Sequence, residues 1–327
     1  MGSKHRLLPW IHSVLSDIPF STALDAFSGS GCVAYLLKAM GKQVTANDFM
    51  RFSATIARAL VENPGNRLGP SAAAALARYD PRHRHFIERT FAGIFFEPRD
   101  LRFLDRVWWN LRQLEDESAR AMALAALIRS CLKRQPRGVF TVAGDPERHK
   151  DGRRDLRLSI REHFFEQVAR LDSVPFDSGR ACRAVHGDVF EIEGEFDLVY
   201  LDPPYVPRSD DNCYMKRYHF LEGLSCYWEG QRIMEHTKVR KIEKPFTPFS
   251  YRRQAIEAFS RLFSKFRRST IALSYSSNGF PDLEALVDLM KRQKGEVVVY
   301  ERPHRYHFGT HGAVRRARVD EYLIIGH

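Results

Sequence analysis

The chain has 327 residues, a formal net charge of +11 and 44% hydrophobic residues. That is enough apolar material for a real core, and with 28% charged residues it argues against bulk disorder. It leaves one large α/β domain with an insert, or two domains of ordinary size. The basic excess favours a polyanionic partner, nucleic acid first. Five cysteines, Cys32, Cys131, Cys182, Cys213 and Cys226, show no C-x-x-C spacing, and their odd number argues against a disulfide framework. Reduced thiols in a cytoplasm are therefore expected. No signal peptide and no apolar run of about 18 residues is present, so the expectation is a cytoplasmic protein with no membrane partner.

Taken in chain order, Leu7 to Leu15 is apolar-periodic and predicts a helix. Ala23 to Phe27 reads as a buried strand, Ser28-Gly29-Ser30-Gly31 as a turn, and Cys32 to Met40 as a helix stopped by Gly41. Gln43 to Ala46 is the next strand and runs into Asn47-Asp48. Strand, turn, helix, strand is the opening of a parallel, doubly wound sheet. From about Arg58 to Arg170 the chain turns helix-rich and basic, with helices expected over Ser71–Ala77 and Ala119–Leu132 and a loop over Arg134–Arg157. This block reads as an insert. Alternation returns at Arg183–His186 and Phe196–Leu201. A helix over Tyr251–Phe266, a strand over Thr270–Tyr275, a helix over Asp282–Arg292 and strands over Glu296–Tyr300 and Tyr322–Ile325 complete the chain.

Three motifs carry chemistry. Asp25-Ala26-Phe27-Ser28-Gly29-Ser30-Gly31 closes the first strand with two glycines, which allow a sharp turn and close approach to a ligand. The helix that follows aims its free N–H groups at that ligand. A tight strand-to-helix turn with no ligand is the equal alternative for this motif alone. Ala34 stands where a dinucleotide site has its third glycine, which counts against NAD or FAD. Asp48 ends the second strand, where an acid can accept from both hydroxyls of a ribose; a turn or helix-capping aspartate is the plainer alternative. Asp202-Pro203-Pro204-Tyr205 follows the apolar run Leu198–Leu201 and is the most specific signal in the chain. Two prolines cannot continue the ladder, and they fix a rigid turn at the sheet edge where ligands bind.

That turn sets an acid beside an aromatic ring, which suits a planar base bearing an amino group. An aromatic amine is a poor nucleophile, because its lone pair is delocalised. Asp202 and the Pro203 carbonyl can accept from the two amino hydrogens and stabilise positive charge as it develops on nitrogen. Tyr205 can stack on the base and align it, with Pro204 stiffening the turn. No metal is needed, and no metal-ligand spacing is present.

These motifs, in this order, resemble the DNA adenine methylase family, over about residues 3–50 and 134–327. The resemblance implies an α/β fold: a class I methyltransferase, Rossmann-like, with a mostly parallel seven-stranded sheet and a helical target-recognition insert. It implies a catalytic, S-adenosylmethionine-binding domain over residues 1–57 and 176–327, with the insert over 58–175. The family's G-S-K start and apolar stretch match Gly2-Ser3-Lys4 and the residues to Trp10, so Lys4 inherits a cofactor contact. Asp25, Phe27, Gly29, Gly31 and Asp48 fall on its cofactor motifs, and Asp188 of Gly187-Asp188 falls where a carboxylate meets the cofactor's adenine amine. The family usually has an aromatic residue shortly before the glycine; here Met1 leaves no room for it, so one wall of the cofactor pocket is expected to be missing or supplied elsewhere.

In the basic insert, a solvated helix face and a duplex reader compete. As a group these residues read as target recognition, with Arg134, Arg137, Arg153 and Arg154 as DNA contacts. Lys216, Arg217 and Tyr218, within the aromatic and basic stretch Tyr214–Trp228, are expected either in a partly buried helix or in a flap over a flipped base. Arg305, within His304–Gly309, is expected near a hairpin tip beside DNA. The resemblance implies transfer of a methyl group from S-adenosylmethionine to adenine N6 in double-stranded DNA, with a restriction endonuclease of the same site as an open partner and no obligatory protein partner. Three alternatives remain open: an RNA adenine methyltransferase, a protein-glutamine methyltransferase (disfavoured because its turn begins with Asn), and a non-catalytic nucleic-acid-binding protein.

Overall fold

The computed structural model describes residues 4–136, 138–143, 152–204, 206, 213–243, 245–305 and 318–327. Seven strands, β1 (Thr22–Asp25), β2 (Gln43–Asp48), β3 (Arg183–His186), β4 (Leu198–Leu201), β5 (Thr270–Ser276), β6 (Val297–Arg305) and β7 (Arg318–Gly326), form one sheet in the order β3-β2-β1-β4-β5-β7-β6. The first five are mutually parallel, and β7 runs antiparallel to both β5 and β6. The sheet is the mostly parallel, Rossmann-like sheet of class I methyltransferases, as expected. Every residue of β4 is buried, which is why it reads as an unbroken apolar run. At the edge, β6 carries Glu301, Arg302 and Pro303, residues that discourage a further strand from pairing.

The chain divides into two compact units. One comprises Gly2–Phe49, Ser178–Asp210 and Pro245–His327 and holds the sheet. In it, α1 (Leu8–Ser16), α2 (Cys32–Ala39), α11 (Arg252–Lys265) and α12 (Leu283–Lys291) accompany the strands. On α11 the buried side chains are Ala255, Ala258, Phe259, Leu262 and Phe263, one stripe at helical spacing. Ala258, Phe259, Leu262 and Phe263 join Leu24, Val199, Ile271 and Ile324 in the core beneath the sheet.

The other unit comprises Met50–Asp177 and Asp211–Lys244. It is helical: α3 (Arg51–Ala57), α4 (Gly69–Leu76), α5 (Phe86–Phe91), α6 (Pro98–Leu111), α7 (Glu117–Arg134), α8 (Arg154–Arg157), α9 (Ile160–Leu171) and α10 (Tyr214–Cys226). This unit differs from the expected insert by starting at Met50 and by taking in the segment after the D-P-P-Y turn. The reason lies in α10. Met215, Tyr218, His219, Phe220, Leu221 and Leu224 are all buried, and Phe220 packs with Phe91, Phe95, Phe96, Phe140 and Trp228. A methyl group added at Gly223 would sit 2.1 Å from Trp228, so the indole covers that bare backbone. Tyr214–Cys226 is thus a core helix of this unit, with Tyr227 and Trp228 buried just past its end, and not a flap.

Buried and half-buried carboxylates organise this basic unit. Asp105 accepts from the N–H groups of Ile87 and Glu88, both at 2.9 Å, and from the Tyr227 hydroxyl at 2.5 Å. Glu222 of α10 accepts from Arg51 and Phe52 at the start of α3, at 3.0 and 3.3 Å. Asp172 serves Leu68 and Gly69 at the start of α4, at 2.8 and 3.0 Å. Each acid fills the unpaired first turn of a helix distant in sequence. Asp105→Ala strands two helix N–H groups and a phenol, and should lower unfolding free energy by about 2–4 kcal/mol in urea titrations, Asp105→Asn by less. Equal midpoints for wild type and Asp105→Ala would refute this role.

Candidate active site

The site grows from the carboxyl edge of the sheet, within the sheet unit. After β1 the chain turns through Gly29 at φ 50° and Gly31 at φ 75°, left-handed values that favour glycine. Neighbouring strands hold the turn. Ser28 N–H donates to the Asn47 carbonyl at 2.8 Å, and Asn47 Nδ2 donates to the Ala26 carbonyl at 3.0 Å. Asp48 Oδ2 accepts from Gly29 N–H at 2.7 Å. Asp25 Oδ2 accepts from Ala34 N–H at 2.9 Å, in the first turn of α2. Phe27 meets Phe249 edge-on at 5.5 Å between ring centres, which fixes the outer side of the loop. Asp188 Oδ1 accepts from Phe190 N–H at 3.0 Å, while Gly187 N–H donates to the Asp48 carbonyl at 3.1 Å. The turns after β1, β2 and β3 are therefore one hydrogen-bonded ledge.

Asp202 and Pro203 lie just past β4 on the same edge. Lys4 Nζ reaches Asp202 Oδ1 at 3.4 Å and Glu321 Oε2 of β7 at 3.0 Å. Lys4 is 6% exposed and Glu321 is fully buried. Sequence reading missed Glu321, although Asp320-Glu321 ahead of an apolar strand was its trace. Burial raises the Asp202 carboxyl to about 6, with Glu321 adding to the rise and Lys4 opposing it. Asp25, 1% exposed, is lifted to about 8 by burial first and then by the negative charges of Asp202 and Asp48.

The charges suit a ligand bearing positive charge. Asp25, Asp48, Asp202 and Glu321 gather at one edge, answered by the Lys4 ammonium. Asp25 Oδ1 and Ser28 Oγ are buried with no hydrogen-bond partner among the described residues. Orphaned polar atoms beside a left-handed glycine turn fit an amino-acid and nucleoside ligand such as S-adenosylmethionine, whose sulfonium and ammonium are both cationic.

The expected nucleic-acid contacts fare differently. Arg134 is a correction: it is buried, its guanidinium on Glu97 at 2.6 Å, on Asp100 at 3.3 Å and on the Leu156 carbonyl. It ties the end of α7 to α6 and α8, and so is a strut of the helical unit. Tyr218 is likewise buried, tilted against Phe52. Arg154 is exposed and paired with Glu166; Arg153, Lys216 and Arg217 are half-buried. Tyr205, Arg137 and the Tyr306-to-Gly309 part of the hairpin tip lie outside the described residues. Arg305 pairs with Arg318 through the backbone, and its side chain also lies outside them.

The Asp25 carboxyl generates a stability prediction. Its folded value, about 8, exceeds the unfolded 3.8, so the folded state holds the extra proton and stability falls as pH rises between the two values. Asn keeps an acceptor for Ala34 and cannot ionise. The Tm of Asp25→Asn relative to wild type should therefore climb from about pH 5 to about pH 8. A difference flat in pH would show that Asp25 does not hold this proton.

Comparison with known proteins agrees with this geometry. The family described as D12 class N6 adenine-specific DNA methyltransferase matches residues 1–135. Type II methyltransferase M2.HphI of Haemophilus parahaemolyticus is 28% identical over 321 residues, covering 94% of this chain and 90% of that protein. Modification methylase LlaI of Lactococcus lactis subsp. lactis is 24% identical over 332 residues, covering 94% of this chain and 50% of that protein. Sheet order, glycine turn and acidic ledge agree with these similarities: the chain is similar to adenine-N6 DNA methyltransferases, to the family over residues 1–135 and to these two relatives over 94% of its length.

Proposed function

We propose that this carboxyl edge is where the enzyme, an S-adenosylmethionine-dependent adenine-N6 DNA methyltransferase, methylates its base. The observation that carries the reading is Asp202. It is a mostly buried carboxylate on the rigid turn past β4, shared with Lys4, and on the edge that carries the glycine turn and Asp48. S-adenosylmethionine, when bound, supplies an electrophilic methyl group. Gly29, Gly31 and the α2 N-terminus cradle its amino-acid end, and Asp48 takes the ribose hydroxyls. Asp188 takes the adenine amine. Asp25 holds the first turn of α2 beneath, and Phe27 bounds the pocket.

Asp202 and the Pro203 carbonyl accept from the N6 hydrogens of the target adenine. Positive charge grows on that nitrogen as it bonds carbon, and the fixed acceptors stabilise it. Asp202 is then placed to take the proton the nitrogen sheds. Tyr205 stacks on the base, which leaves the duplex at a cost of about a few kcal/mol. The helical unit reads the duplex. Arg153, Arg154, Lys216 and Arg217 are its candidate phosphate contacts, and Arg137 and Arg305 are further candidates. The names of both relatives, a type II methyltransferase and a modification methylase, support a role as the modifying partner of a restriction endonuclease that cuts the same site. No described helix is long and apolar enough to cross a membrane.

The first test is transfer of labelled methyl to unmethylated bacterial duplex DNA, with total RNA in parallel. Label is expected in N6-methyladenine from DNA. Label in RNA alone would overturn the duplex reading. Asp202→Ala should keep cofactor affinity while losing about 10²–10³-fold or more of the methylation rate; retained turnover would sink the acceptor assignment. An acceptor must be ionised, so the wild-type rate should fall as pH drops through about 6, and a rate level down to about pH 5 would contradict it. Asp48→Ala removes both the ribose acceptor and the anchor of Gly29, and should weaken cofactor binding about tenfold or more by direct titration. An unchanged dissociation constant would count against that role.

A further inference from the structure

The ion cluster beneath the catalytic turn holds one carboxylate more than a simple pair requires. Glu321 is fully buried between Val319 and Leu323, both buried and on the same side of β7. An apolar side chain would pack there without the several kcal/mol that desolvating a carboxylate costs. The topology explains how it arrives. Because β7 runs against β5, its first residues lie at the edge where β4 ends, and Glu321 stands opposite Ser276, the last residue of β5. The closer contact of Lys4 is with Glu321, at 3.0 Å, and the looser one with Asp202, at 3.4 Å. An undivided ammonium–carboxylate pair closes to about 2.7–2.9 Å.

We propose that Glu321 is a positioning residue for methyl transfer: it draws the Lys4 ammonium toward β7, so that Asp202 is oriented by Lys4 without being captured by it and keeps its lone pairs for the substrate amine. This rests on the assignment of Asp202 as the amine acceptor. The groups that face Asp202 electrostatically are Lys4 from the N-terminal segment, Glu321 from β7, Tyr200 from β4 and Asp25 from β1. Glu321 repels an ionised Asp202, and Lys4 attracts it. Making Glu321 neutral removes one repulsion and releases Lys4 toward Asp202. Asp202 then ionises more readily, and its lone pairs are occupied by the ammonium.

The test is Glu321→Gln in the full chain, assayed by single-turnover methylation of duplex DNA with labelled S-adenosylmethionine across about pH 5–8. The expected result is a plateau rate lower by about tenfold or more, cofactor affinity within about twofold, and an acid limb displaced to lower pH by about half a unit or more. A wild-type plateau, or an acid limb that does not move, overturns the proposal, because a merely structural role would not shift the limb downward. If Glu321→Gln does not fold, Lys4→Gln serves instead. Loss of the cation should move the acid limb upward, and an unmoved limb there overturns the proposal equally. Asp202→Ala in the same assay separates the two readings. Turnover retained in that variant removes the acceptor assignment itself, whereas an inert Asp202→Ala beside a wild-type-like Glu321→Gln removes only Glu321.

Discussion

Parallel pairing imposes the constraint on which this molecule depends: strands that run the same way all end at the same edge. β1, β2, β3 and β4 deliver Asp25, Asp48, the Gly187-Asp188 turn and Asp202 to one side of one sheet. Like charges so gathered repel, and burial sharpens the repulsion. The structure answers with helix N–H groups, backbone donors of the glycine turn and the Lys4 ammonium. Residual negative charge is then a property of the edge. It is what a cationic methyl donor requires.

The hydrogen bonds of the ledge couple binding to fold. Asp48 holds Gly29, Asn47 holds Ala26, and Asp25 reaches the first turn of α2. The groups proposed to take the cofactor are thus the groups that shape the loop, and the loop is held in place by the protein's own hydrogen bonds. Preorganisation of this kind lowers the ordering cost of binding. It also means that substitutions at Asp48 act on both affinity and loop geometry.

The helical unit solves a different problem. Its surface is basic, yet its interior is held by acids that cross from one helix to the start of another: Asp105 to α5, Glu222 to α3, Asp172 to α4 and Asp100 to α9. Arg134 belongs to this frame, which is why a residue of the right type in the right block is not a surface contact.

Much of this was legible in the sequence. The seven strands, the glycine turn, Asp48 and Asp202 follow from local signals: apolar runs, glycine and proline placement, and an acid at a strand end. Such signals act over a few residues, and periodicity reports them faithfully. The contact between Lys4 and Glu321 spans 317 positions and exists only because β7 inserts backwards between β5 and β6. Nor could composition tell a buried arginine from an exposed one, or assign α10 to the helical core, since both depend on which distant surfaces close over them. The sequence by itself determined the chemistry offered at each strand end. Tertiary structure alone decided which charges share a site, because electrostatic energy depends on separation in space and on burial, and neither is written in chain order.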